Sequence, residues 1–295
     1  MVLRYAFGVV ITGVLLLGLG GCGSHNSGSS ISMAGSDTMV NVAQAWAEKY
    51  RVAKPDVTVQ VQGGGSGTGI TSLIDGTCDM ANASRKMEPD EIKRLKDKRK
   101  KDPEEFTVGY DALAVYVHKS NPLESISIEE LAEIYGEGGK ITKWSQLGIE
   151  AKALGTEEIT RVSRQNNSGT YVYFHDAVLG KGREYKLGSL DQNGSVDVVN
   201  LVASTPGAIG YSGMGYATPG VKMLKISKHK GEPGIAPTIE NAKKQIGGYP
   251  ITRPLLIYTA GKPEGRIKEY LDWIRGKPGQ AVVAELGYVP KDEHE

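Results

Sequence analysis

An α/β fold built on a mostly parallel sheet is the class this sequence predicts, and three observations carry the prediction. From residue 31 onward, short apolar runs alternate with amphipathic stretches of helical spacing, the rhythm of βαβ units. The composition is globular, 39% hydrophobic and 23% charged, over 295 residues, enough for one large or two medium domains. Glycine reaches 39 residues, roughly twice the ~7% average, so tight backbone turns matter to the architecture.

The elements follow one another plainly. Met1 to Gly21 has a basic start with Arg4, an apolar stretch from Tyr5 to Leu19, and small residues before Cys22. This is the pattern of a lipoprotein export signal, in which the cysteine thiol is acylated, and the stretch is shorter than the ~20 residues of a spanning helix. Residues 1–21 are expected to be removed and 22–30 to form a flexible tether carrying lipid on Cys22. The folded body is then expected to work outside the cytoplasm, in a periplasm or on a cell surface.

Ile31 to Ala34 is predicted as a strand, followed by a helix with Val40, Ala43, Ala47 and Tyr50 on its apolar stripe. Val57 to Val61 makes the next strand. Gly67 to Asp75 makes a helix that stops at Gly76, and Cys78 to Ala81 a further strand. The basic run Lys93 to Lys101 reads as the solvated end of a helix, a membrane or partner patch being the other reading. Ala112 to His118 is a long apolar strand that looks like a crossing into a second unit. That unit holds a helix at 128–135, a strand at 159–163, a helix at 170–179 and a strand near 207–211. Arg253 to Thr259 is expected to return to the first unit, with helices at 264–275 and 279–286 behind it.

Three segments share one physical design. Gly35-Ser36-Asp37-Thr38-Met39, Gly63-Gly64-Gly65-Ser66-Gly67-Thr68-Gly69 and Arg164-Gln165-Asn166-Asn167-Ser168-Gly169-Thr170 each bring hydroxyls and backbone N–H groups to a helix start. Such an end suits an anion. One helix start contributes only ~0.3 to 1 kcal/mol and is an ordinary cap, so convergence of three is what points to binding. Five glycines in seven residues are costly to order, which close approach to the backbone would explain.

Other chemistries do not fit. Lys140, Lys181, Lys262 and Lys277 follow glycines but none precedes Ser or Thr as a Walker loop requires, and Ser66 lacks the second flanking glycine of a nucleophile elbow. The five histidines are scattered and the two cysteines, Cys22 and Cys78, form neither a disulfide framework nor a metal knot. No catalytic residue, cofactor or metal is expected, and Cys78 reads as a buried apolar thiol. With 35 basic and 34 acidic side chains the net charge is +1, which offers nothing to nucleic acid.

Taken together, the Gly-Ser-Asp-Thr-Met and glycine loops, Asp79 to Met87, Arg164 to Thr170, Gly248-Tyr249-Pro250 with Arg253-Pro254-Leu255, and the ending Gly287-Tyr288-Val289-Pro290 resemble one family. It is the phosphate-binding subunit of bacterial phosphate ABC transporters, a periplasmic-binding-protein family, and the resemblance spans residues 31–290 in order. It implies a two-lobed α/β fold, each lobe a mixed sheet flanked by helices, with the ligand in the interlobe cleft. Lobe 1 is expected over 31–111 and 247–295, lobe 2 over 112–246. Carried over by position, inorganic phosphate would be held by Thr38, Met39, Ser66, Ser84, Arg164, Ser168, Gly169 and Thr170. The implied partners are membrane-embedded permease subunits with their ATPase. Many members place an aspartate about where Ser84-Arg85 stands, to accept the proton that phosphate has and sulfate lacks; here Ser84 can accept through its hydroxyl, and Asp37 and Asp79 are the candidate carboxylates. A receptor for sulfate, molybdate or tungstate is the alternative.

Overall fold

A computed structural model describes residues 29–244 and 248–291. The expected export signal, Cys22 and the tether as far as residue 28 lie outside the described residues; Ser29 and Ser30, expected in the tether, already belong to the first strand.

The chain opens β1 (Ser29–Gly35), α1 (Val40–Ala53), β2 (Val57–Gln62), α2 (Ser66–Asp75), β3 (Met80–Ala83), α3 (Pro89–Arg99) and β4 (Pro103–His118). It continues β5 (Ser125–Ser127), α4 (Ile128–Tyr135), α5 (Ala151–Leu154), β6 (Thr160–Arg164), α6 (Gly169–Phe174), β7 (Leu190–Gln192), α7 (Ser195–Ser204), β8 (Ala208–Gly213), β9 (Val221–Met223), β10 (Lys225–Ser227) and α8 (Ile239–Lys243). It closes with β11 (Thr252–Ala260), α9 (Gly265–Arg275) and α10 (Lys277–Glu285).

The main sheet runs β2-β1-β3-β11-β4-β8-β6-β7, with β9 also on β4. Each end is parallel, as the alternation of strands and helices predicts, but β11 and β4 are antiparallel to their neighbours, so the sheet is mixed. The reason is connectivity. β4 pairs with β11 from Pro103 to Ala112, then with β8 from Leu113 to Val117, and so serves both halves of the molecule. Its first half escaped the sequence reading because Pro103, Glu104, Glu105 and Gly109 break the apolar pattern.

Two apolar clusters cover the two faces of the first half-sheet. Leu255 and Ile257 face one with Trp46, Tyr50 and Tyr270, while Leu256 and Tyr258 face the other with Ile70, Leu73 and Leu95, the alternation a strand imposes. The second half has its own core, including Tyr135, Trp144, Phe174, Val198 and Tyr211. The buried stripe of α1 is Val42, Ala43, Trp46 and Tyr50; Val40 and Ala47 are only partly buried. The stripe turns because Trp46, fully buried, donates from Nε1 to the Gly279 carbonyl at 2.9 Å and draws its own face against α10.

Candidate anion-binding cleft

Four strands end at one place. The loop after β1, the glycine loop after β2, Ser84 after β3 and Arg164 at the end of β6 all lie at strand carboxyl ends, where open α/β sheets receive ligands. Helix geometry then aims their donors. Ser66 is the first residue of α2 behind Gly65, whose φ of 93° requires glycine, and Ser168 caps α6 by accepting from the Thr170 N–H at 3.2 Å.

The polar side chains meet across the two halves. Thr38 Oγ1 lies 3.0 Å from Thr170 Oγ1, and Arg164 Nη2 donates to Asp37 Oδ2 at 2.9 Å. Gly67 N–H donates to the Asn167 carbonyl at 3.0 Å, and Asn167 Nδ2 donates to the Gly64 carbonyl at 3.0 Å. A Cβ on Gly169 would stand 2.3 Å from Ser66 Oγ and 2.8 Å from Ser84 Oγ, so only glycine lets the halves approach here.

The hydroxyls are polarised in series. Ser36 donates to Ser84 Oγ at 3.0 Å, and the Ser84 N–H donates to Ser66 Oγ at 3.1 Å. The expected acceptor role of Ser84 is therefore partly taken by Ser36. Thr38, Ser66, Ser84, Arg164, Ser168 and Thr170 are all buried, the guanidinium of Arg164 almost completely. Met39 is buried too, and its N–H donates to the Ser36 carbonyl at 3.0 Å within the turn. Thus the first helix start spends on itself an N–H that the resemblance assigns to the ligand.

Arg164 is held by its Nη1 on Ser195 Oγ at 3.2 Å and its Nη2 on the Asn193 carbonyl at 2.8 Å. Burial lowers its pKa from the ordinary arginine value, and Asp37 opposes that shift. Of the two candidate carboxylates, Asp37 is in the cleft, whereas Asp79 is bound to Ser32 N and Oγ at the far end of β3. Arg85 faces away, forking onto Glu91 at 2.7 and 2.8 Å.

Sequence reasoning left out a second buried pair. Arg253 on β11 and Asp111 on β4 stand directly opposite in the ladder and are fully buried. Arg253 donates from Nε and Nη2 to Asp111 Oδ2 at 3.1 and 2.9 Å, from Nη1 to Thr170 Oγ1 at 2.9 Å, and from Nη2 to Thr38 Oγ1 at 3.0 Å. Burial pushes the Asp111 carboxyl upward while Arg253 pulls it down. The available signal was a charged residue inside each of two apolar runs. The other face of β11 carries a cavity of about 360 Å3 lined by Tyr110, Tyr249, Pro254 and Pro290, away from these hydroxyls.

Fold and site together define a two-lobed binding protein with a small, donor-rich polar cleft between its halves. The sequence matches the model of the PBP superfamily domain over residues 23–277. It is 32% identical over 271 residues to the phosphate-binding protein PstS of Pseudomonas aeruginosa, covering 88% of this chain and 83% of the relative. It is also 32% identical over 270 residues to PstS of Bacillus subtilis, covering 91% and 83%. A phosphate ABC transporter substrate-binding protein from Clostridium perfringens, solved with bound phosphate, superposes with a TM-score of 0.79 at 29% identity, over 90% of this chain and all of that one. An ABC-type phosphate transport receptor from Vibrio cholerae gives 0.67 at 28%, over 88% and all. The chain belongs to the PstS family of phosphate-binding proteins within the PBP superfamily.

Proposed function

We propose that this protein captures inorganic phosphate between its lobes and delivers it to a membrane-embedded ABC permease driven by an ATPase. The observation that carries the reading is the pairing of Thr38 with Thr170 across the two halves, with Ser66 against Ser84 and Arg164 on Asp37 of the first loop, these hydroxyls and the Arg164 guanidinium being buried. Relatives named for phosphate binding support the choice of anion.

Ser66, Ser84, Ser168 and one of the Thr38–Thr170 pair would donate hydroxyl protons, Gly169 its backbone N–H, and Arg164 its remaining Nη1 proton, with Nη2 joining by releasing Asp37. Met39 would join only by releasing Ser36. Hydrogen bonds to a charged group contribute ~1.5 to 3 kcal/mol each, so six or seven exceed the ~8 kcal/mol of a micromolar complex and leave a surplus for desolvation and closure. Closure follows from ligand contacts made on both lobes at once. We keep lobe 1 at 31–111 with 247–295 and lobe 2 at 112–246, a division supported by the hand-off within β4 from β11 to β8 after Ala112. Acylation of Cys22 would tether the body at a membrane outside the cytoplasm.

A site for sulfate, molybdate or tungstate is favoured by the absence of a carboxylate at 84–85 and opposed by Asp37 in the cleft. Calorimetry of the full chain with these anions decides between them. Phosphate is expected to bind at micromolar concentration and Arg164→Ala to weaken it at least ~100-fold; no binding below millimolar overturns the reading.

A further inference from the structure

We propose that Arg253 is a positioning residue that couples lobe closure to anion capture and sets the polarity of the two hydroxyls at the seam. The inference rests on the reading of the cleft as an anion site.

Three facts combine. Arg253 lies on β11, opposite Asp111 on β4, close to the point where β4 passes from one half-sheet to the next. The same guanidinium reaches Thr38 in the loop after β1 and Thr170 in α6, one hydroxyl from each half. It can span both only while those oxygens stand 3.0 Å apart, so separating the lobes breaks at least one of these bonds. Closing therefore adds a charge-assisted hydrogen bond independent of any ligand.

The second consequence concerns protons. A hydroxyl has one proton to give and two lone pairs to receive with. Arg253 occupies a lone pair on each threonine, which turns both protons away from the guanidinium; one proton closes the Thr38–Thr170 bond and the other is left for the space an anion would fill. Arranged this way, the threonine pair faces the ligand as a donor and favours the anion with more bare oxygens. The charged groups facing this corner are Asp111 from β4, Asp37 from the first loop and Arg164 from β6; the neighbouring phenols of Tyr173, Tyr216 and Tyr288 are all pushed up by burial and stay neutral.

The test is titration of the full chain with inorganic phosphate from pH 6 to 8.5, as wild type, as Arg253→Lys, and as Arg253→Met with Asp111→Asn. The double change removes both charges together, so neither is left buried alone. Wild-type affinity should rise as phosphate loses its second proton. Both variants should bind at least about tenfold more weakly with a flatter pH profile, and adding Thr38→Val to Arg253→Lys should cost little more. Variants within twofold of wild type, or with an unchanged pH profile, overturn the role of Arg253 alone; a wild type that takes no phosphate overturns the cleft reading and this inference with it. If the Arg253 variants fail to fold, Thr170→Val, which leaves the Asp111–Arg253 pair in place, answers by X-ray scattering without phosphate. A larger radius of gyration than wild type is expected, and an unchanged one overturns the coupling.

Discussion

Asp37 and Arg164 are 127 residues apart in sequence and 2.9 Å apart in the fold, joined across the cleft between the two halves. Asp37 also accepts from the Gly64 N–H at 2.9 Å through its other oxygen, so one carboxylate ties the first loop, the glycine loop and the opposite lobe. Asp37→Asn keeps the shape and the Gly64 bond but removes the acceptor for a ligand proton. The preference for phosphate over sulfate should narrow by about tenfold, read by competition at neutral pH. An unchanged ratio would mean that discrimination lies elsewhere.

Gly169→Ala should weaken phosphate binding more than it weakens the fold. The added methyl would press on Ser66 Oγ, a contact made only when the lobes meet. Overpacking of this kind costs ~1 to 3 kcal/mol, and most of it should appear in calorimetric affinity, with a small change in melting temperature. A large melting shift with intact affinity would contradict the placement of Gly169 at the seam.

Cys78 should be inert in the native state. It is buried, its Sγ points at the Gly69 carbonyl at 3.8 Å, and burial pushes its thiol up to about 12. In a chain carrying Cys22→Ser, maleimide labelling at pH 8 should be orders of magnitude slower than in denaturant. Rapid native labelling would refute the burial.

His229 accepts a pH-dependent task at the start of α4. Its Nδ1 lies 2.8 Å from Glu129, which raises the imidazole pKa above the ordinary value. A raised folded pKa means that the stabilisation is complete below about 6.5 and disappears as pH climbs through the higher folded value. His229→Gln should therefore lower the melting temperature slightly at pH 6 and leave it unchanged at pH 9. Equal effects at both pH values would exclude the ion pair as their source.

The parts of the fold that could be read from sequence are those with local causes. The helix at 128–135 is framed by Ser127 and Glu130 in a reciprocal cap, and α2 stops at Gly76 because its φ of 78° suits glycine. α7 was missed because its valines mimic a strand, its burial coming from contacts with distant β8. The segments holding Thr38, Ser66 and Arg164 could be singled out because hydroxyl and glycine clusters mark helix starts, and the resemblance to phosphate-binding subunits then pointed to these residues within them. Arg253 and Asp111 could not, since 142 residues separate them and only the register of two antiparallel strands sets them face to face.

A single ribbon, β4, is stitched to one half of the sheet along its first ten residues and to the other half along the next five. Neither half can therefore unravel and leave its companion's ladder whole. Heat or denaturant should dismantle the whole molecule in one cooperative step despite its three separate apolar clusters, because one unbroken ribbon belongs to both halves.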